Sequence, residues 1–229
     1  MLKFQQKRYI LKKYFKILQK CPLFYDIRDE QLPAFLRCLG ARVIEVEKNS
    51  VIFSEGERAT HVGIMLTGSA QIINYDYYGN RSILGTVGPS ELFADEFACS
   101  ETLELPVSII ADEKSEIMLI ECSRILHTCS SACSFHQQMI FNLMKNLALK
   151  SLSFHQRADI ISKRSTREKL MSYLLMQAKK LNSNCFDIPF DRQELADFLE
   201  VDRSGLSTEI GKLKKQGIIS NNKRHFELL

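Results

Sequence analysis

Between Ala41 and Glu121 the apolar positions fall in short runs, ARVIEVEK, HVGIML, SAQIINY, RSILGTV, VSIIA and EIMLIE, separated by turn-formers such as Gly56, Gly79-Asn80 and Gly88-Pro89. Short β-rich runs at regular spacing read as strands of an antiparallel sandwich or barrel. No helical pattern is visible among them, so a parallel α/β sheet is not expected. From about Ser134 the period changes. Ile140, Met144, Leu147, Ser151, Phe154 and Ala158 recur at alternating steps of four and three, on one stripe of a long helix that runs to about Ser162. Such a stripe either seams two copies of the chain together or packs on the barrel, and the small Ser151 and Ala158 suit a close approach of two helices. Leu143, Leu149 and Leu152 lie off the stripe and are expected to supply contacts within the chain.

A basic polar stretch, Ser162 to Glu168, marks a boundary and opens a helix expected over Glu168 to Leu181. Beyond it, Asp191 with Glu194 three residues on forms a capping-box pattern for a short helix ending near Leu199, and Asp202 caps a second helix almost at once. Two helices joined by so tight a turn follow helix-turn-helix grammar. In the second, Leu206, Ile210 and Leu213 share one face and lock it in place. Ser204, Thr208 and Lys215 face the other way, flanked by Ser207 and Lys212, with Arg203 at the exposed N-terminal end. Arg pairs with both major-groove acceptors of guanine, and hydroxyls serve bases or phosphates, so Arg203, Ser204, Ser207 and Thr208 are candidate base contacts. After Gly217, two short apolar segments around Asn222-Lys223-Arg224 predict a β-hairpin wing. Lys223, Arg224 and His225 at its tip, together with Lys212 and Lys215, are candidate backbone contacts.

Charge sharpens the division. Residues 1–20 carry seven Lys or Arg and no acid, residues 21–162 carry 11 bases and 18 acids, and residues 163–229 carry 13 bases and nine acids. An acidic middle and a basic end imply that only one part meets a polyanion. The basic N-terminal segment, with Phe4, Tyr9, Ile10, Tyr14, Phe15, Ile17 and Leu18 among its lysines, reads as an amphipathic helix that packs on the barrel or meets anionic lipid or nucleic acid. No apolar run is long enough for a membrane span and no secretory signal is visible, so a cytoplasmic protein with no membrane partner is expected. The seven cysteines, odd in number and irregular in spacing, argue against a secreted disulfide framework. The expected fold is α+β: residues 1–133 a sensor barrel of jelly-roll type with an N-terminal helix, 134–162 a dimerisation helix, and 163–229 a winged helix-turn-helix.

These parts, in this order, resemble the family of the cyclic-AMP receptor protein and FNR (CRP/FNR). The resemblance runs from a helix before Cys21-Pro22-Leu23-Phe24, through Gly56-Glu57 and Thr67-Gly68-Ser69 in the barrel, to Asp-Arg-Gln-Glu-Leu-Ala at 191–196 and Val-Asp-Arg-Ser at 201–204. It implies a cyclic-nucleotide-binding-like barrel, a homodimer on an inverted repeat of double-stranded DNA, and RNA polymerase as a partner. It also implies that Arg203, Ser204 and Thr208 face bases while Arg192 and Gln193 lie near phosphates. The chain departs from the family where cyclic-AMP binders carry Gly-Glu and Arg-Ser in a phosphate-binding cassette: here the matching positions are Ala94-Asp95 and Leu105-Pro106. Without that Arg, and with Asp95 and Glu96 present, a cyclic phosphate is not an expected effector. A less anionic small molecule lined by Phe93, Ala94, Asp95, Glu96, Leu105, Pro106 and Val107 is one alternative, a passive scaffold another.

Two rival chemistries remain. Cys122, His127, Cys129, Cys133 and His136 cluster within 15 residues and suit zinc, an iron–sulfur cluster or a thiol switch, but no standard zinc spacing is present and ordinary buried cysteines are the favoured reading. A barrel oxygenase needs several converging histidines, whereas His61 is the only one between Ala41 and Glu121. Nucleophile-elbow and phosphate-loop motifs are also missing, so an enzyme is not expected.

Overall fold

The computed structural model describes residues 13–28, 30–100, 104–126 and 134–229. The chain divides into two compact units, one up to Asn74 together with Gly85–Lys150, the other Tyr75–Leu84 with Ser151–Leu229.

In the first unit a short helix α1 (Phe15–Leu18), a 3-10 turn (Pro22–Phe24) and α2 (Leu32–Cys38) precede the strands. The strands are β1 (Arg42–Val46), β2 (Val51–Phe53), β3 (His61–Thr67), β4 (Ala70–Tyr75), β5 (Arg81–Val87, whose residues up to Leu84 group with the second unit), β6 (Leu92–Phe93), β7 (Ser108–Ala111) and β8 (Ser115–Glu121). They form two four-stranded sheets, ordered β1-β8-β3-β6 and β2-β7-β4-β5. In the first, β8 pairs antiparallel with β1 (Arg42 opposite Leu119) and with β3 (Ile64 opposite Met118). Side chains alternate across a strand, so a sheet covered on both faces is apolar throughout. That accounts for the unbroken apolar runs of β3 and β8. Ile64, Leu66, Met118 and Ile120 join a core with Leu18, Leu23, Phe35 and Leu36 from the preceding helices. Met65, Ile117 and Leu119 join Val87, Phe93 and Ile109 in another. Gly63 is required here, because a Cβ would stand 2.2 Å from the Phe93 ring.

Two short helices occur where no helical pattern was visible in sequence: α3 (Asp95–Cys99), which follows β6, and α4 (Cys122–Leu126), which follows β8. Each is a single turn or little more, too short to display a period. The long helix α5 covers Ser134–Ile161, close to the expected limits.

The second unit continues with α6 (Thr166–Leu181), β9 (Cys185–Asp187), α7 (Arg192–Leu199), α8 (Arg203–Lys215), β10 (Ile219–Asn222) and β11 (His225–Leu228). A capping box at Ser165 and Glu168 starts α6 two residues before the expected point. The hairpin β10–β11 gains β9 as a third strand that the sequence did not announce. Among the described residues no helix is long and apolar enough to cross a membrane.

Candidate nucleic-acid interface

The pair α7–α8 is fixed by local chemistry at both ends. Asp191 Oδ1 accepts from the Glu194 amide at 2.9 Å while Glu194 Oε2 accepts from the Asp191 amide at 2.7 Å, the reciprocal cap its sequence implied. Glu200 closes α7 in the left-handed region at φ 52°, and Lys169 donates to the carbonyls of Leu199 and Glu200, both at 3.2 Å. A cation at a helix C-terminus opposes the negative end of its dipole. Arg157 adds to this end, donating to Glu200 Oε1 at 3.3 Å with its guanidinium over the Phe198 ring. Only Glu200, Val201 and Asp202 separate the helices, and Asp202 Oδ2 accepts from the Gly205 amide at 2.9 Å to start α8.

Leu206, Ile210 and Leu213 are buried, so α8 is held by one stripe. Beneath it Tyr173, Phe190 and Phe198 pack ring against ring, Phe190 and Phe198 stacked at 4.8 Å. The opposite side leaves Arg203, Ser204, Ser207, Thr208, Lys212 and Lys215 exposed. Ser207 Oγ donates to the Arg203 carbonyl at 2.9 Å, and Thr208 Oγ1 to that of Ser204 at 3.0 Å. With those protons committed to the helix, the two oxygens face outward as acceptors.

Lys223 and Arg224 form the exposed turn of the wing and exposed His225 opens β11, beside a groove of about 520 Å³ lined also by Asp187, Asp191, Arg192 and Asn222. Arg224 meets Glu194 at 3.4 Å and His225 Nδ1 meets Asp187 at 3.0 Å. Gln193 donates to Asp197, and Lys212 pairs with Glu209 at 2.6 Å. Arg192 is half-buried, and burial together with the nearby Arg203 guanidinium lowers its pKa. Lys214, which sequence reasoning passed over, is also exposed and donates to the Asn221 carbonyl at 3.1 Å.

In the first unit, the residues considered for an effector pocket are mostly interior. Phe93, Ala94, Asp95, Leu105 and Val107 are buried, Glu96 is half-buried and Pro106 is exposed. Asp95 is fully buried and not solitary: Asn146 Nδ2 donates to it at 2.9 Å, and Lys150 pairs with both Asp95 and Glu96, the latter at 2.9 Å. Lys150 of α5 is thus engaged by two carboxylates. Burial, ahead of the opposing pull of Lys150, raises the Glu96 pKa.

On α5 the side facing the core carries Met139, Asn142, Leu143 and Asn146. Asn142 donates to the carbonyls of Leu23 and Tyr25 at 3.1 and 2.8 Å. Of the stripe read from sequence, Met144, Ser151, Phe154 and Ala158 are exposed, while Ile140 and Leu147 are half-buried. Leu143 does pack within the chain. Leu149 and Leu152 stand 54% and 59% exposed, and Phe141 joins them at 57%. Polar Asn142 and Asn146 share the inward face, each held by a fixed partner.

Of the histidine–cysteine cluster, His127, Cys129 and Cys133 lie outside the described residues. Cys122 is buried on α4, and His136 is buried edge-on against Phe35. Among the described residues no three His, Cys, Asp or Glu side chains come together as a metal site.

Residues 43–131 match the family model of the cyclic nucleotide-binding domain, and residues 168–229 that of the Crp-like helix-turn-helix domain. Among solved structures, the c-di-GMP responsive global regulator CLP from Xanthomonas campestris superposes with a TM-score of 0.71 at 16% identity, covering 88% of this chain and 99% of that one. FixK2 from Bradyrhizobium japonicum gives 0.65 at 19%, covering 82% and 92%. A CooA mutant from Carboxydothermus hydrogenoformans gives 0.62 at 16%, covering 84% and 85%. At such identities the likeness is one of fold. A search of curated protein sequences finds no match.

Proposed function

Because the chain belongs to the CRP/FNR family of transcription regulators, carrying a cyclic nucleotide-binding domain before a Crp-like helix-turn-helix, we propose that it binds an inverted repeat in double-stranded DNA as a homodimer. Residues 1–133 serve as sensor, 134–162 as dimer helix and 163–229 as DNA-binding domain, working in the cytoplasm with RNA polymerase as partner. The observation that carries this reading is the outward face of α8, where Arg203, Ser204, Ser207 and Thr208 stand exposed opposite the buried Leu206, Ile210 and Leu213. Arg203 reads guanine through its two acceptors, and the Ser207 and Thr208 oxygens accept from base amino groups. Arg192, Gln193, Lys212, Lys215, Lys223, Arg224 and His225 fix the register on phosphates. Two symmetric copies place their half-sites about one helical turn apart.

The exposed side of α5 supports the dimer. Phe141, Met144, Leu149, Leu152 and Phe154 are each about half exposed or more in a single chain, and apolar side chains in such density along one helix call for a partner. The seam so drawn extends the stripe read from sequence toward Phe141 and Leu152.

Cyclic AMP is not the effector this cassette suits. An entering cyclic phosphate would have to take Lys150 from Asp95 and Glu96, leaving the buried Asp95 carboxylate without a counter-ion. Cyclic di-GMP, named for CLP, brings the same phosphodiester charge and meets the same obstacle. Selection of bound sequences from a randomised duplex library tests the proposal: a palindromic motif with half-sites about one turn apart is expected, and recovery of random sequence would overturn it.

A further inference from the structure

The sulfurs of Cys99 and Cys122 lie 3.2 Å apart although the residues are 23 positions apart in the chain. Cys99 ends α3 and Cys122 begins α4, so the fold alone brings them together. Cys99 is half-buried and Cys122 buried, which leaves Cys99 as the sulfur a small solute reaches first. A disulfide holds its sulfurs about 2.05 Å apart, so closure requires a movement of only about 1 Å.

We propose that Cys99 and Cys122 form a thiol modification site, which an oxidant of the peroxide class converts reversibly to a disulfide and which thereby alters DNA binding. In the first step the Cys99 sulfur attacks one peroxide oxygen and the O–O bond breaks. Cys99 becomes a sulfenic acid, and the departing hydroxide takes the thiol proton to leave as water. In the second, the Cys122 sulfur attacks the Cys99 sulfur, the S–O bond breaks, and a second water carries off the Cys122 proton. Two thiols lose two electrons and two protons, and one peroxide becomes two waters. A small dithiol reverses the change by exchange.

The site has a path to the rest of the molecule. Asp95 and Glu96, one helical turn from Cys99 on the same five-residue α3, hold Lys150 of α5, and Asp95 also holds Asn146. Drawing Cys99 toward Cys122 therefore loads the short helix that anchors α5. The hydrogen bond to Cys122, then burial, keeps the Cys99 thiol well above the ordinary thiol range. Thiolate is therefore the minor form at neutral pH, and oxidation should speed up as pH rises.

The chemical half of the proposal stands independently, whereas the regulatory half rests on the DNA-binding function proposed above. The reduced full-length chain is treated with hydrogen peroxide, remaining thiols are alkylated, and the digest is examined by mass spectrometry. A cross-linked peptide pair joining Cys99 to Cys122 is expected, two hydrogen atoms lighter than its parts, dissolved by dithiothreitol and lost in Cys99→Ser. Bridges made only by Cys38, Cys185, Cys129 or Cys133, or over-oxidation of Cys99 without a bridge, would overturn it. On the selected duplex, oxidation should shift affinity at least about fivefold, reversibly, with no shift in Cys99→Ser. A disulfide that forms without any shift overturns the switch. If the reduced protein ignores every duplex, DNA binding is what fails, and the cross-link still decides the site.

Discussion

Replacing Lys150 with Met removes the ammonium from a site where its removal cannot be repaired by water. The Asp95 side chain is 0% exposed, with Lys150 and Glu96 at 25% and 21%. After the change, the Asp95 carboxylate keeps the Asn146 amide as a donor but faces the Glu96 carboxylate with no cation between them. Removing one partner of a buried pair costs about 3–5 kcal/mol. For a chain of this size that corresponds to a fall of roughly 6–20 °C in the melting temperature of the sensor unit. The pH dependence gives a second handle. Burial works against the Lys150 charge, but Asp95 and Glu96 outweigh it and its pKa is raised. A lysine that binds its proton more tightly when folded contributes all its stability below the ordinary lysine pKa and loses it as pH climbs through the raised one. The gap between wild type and Lys150→Met should therefore be constant across neutral pH and close only in strong alkali. It should also narrow in acid, where protonation of Glu96, whose pKa burial raises, relieves the variant. Thermal and urea unfolding across pH measure this, and Asp95→Asn combined with Lys150→Met should recover part of the loss. A cost below about 1 kcal/mol, the size expected of a surface pair, would refute the reasoning.

Lys223→Ala and Arg224→Ala should each weaken selected and random duplex alike and lower the slope of log affinity against log salt by about 0.9; titrations at several salt concentrations read this directly. Met144→Glu and Leu152→Glu, both at positions exposed in the single chain, should leave its fold intact while shifting sedimentation from dimer to monomer.

What could be read from the residues alone follows the range of the interactions. Caps such as Asp191 with Glu194 and Asp202 with Gly205 work across three residues, and they mark α7 and α8 without the rest of the fold. The unbroken apolar runs of β3 and β8 are similarly local. By contrast β9 is three residues long and exists because β11 pairs with it, and α3 and α4 are too short to show a period. The partners of Asp95 lie 51 and 55 positions away on α5, and nothing near Asp95 in the chain announces them. The inward side of α5 is hidden for a related reason. Its inward face carries Asn142 and Asn146, satisfied by loop carbonyls and by Asp95, so apolarity does not mark the side that packs within the chain.

The outward face of α8 is tested most directly by fluorescence anisotropy of wild type and Arg203→Ala on the selected duplex and on random duplex, side by side. Loss of the guanidinium should cost about 1–3 kcal/mol on the selected sequence and leave random-sequence binding unchanged. Equal losses on both duplexes, or a wild-type protein that binds neither in dilute salt, would contradict it.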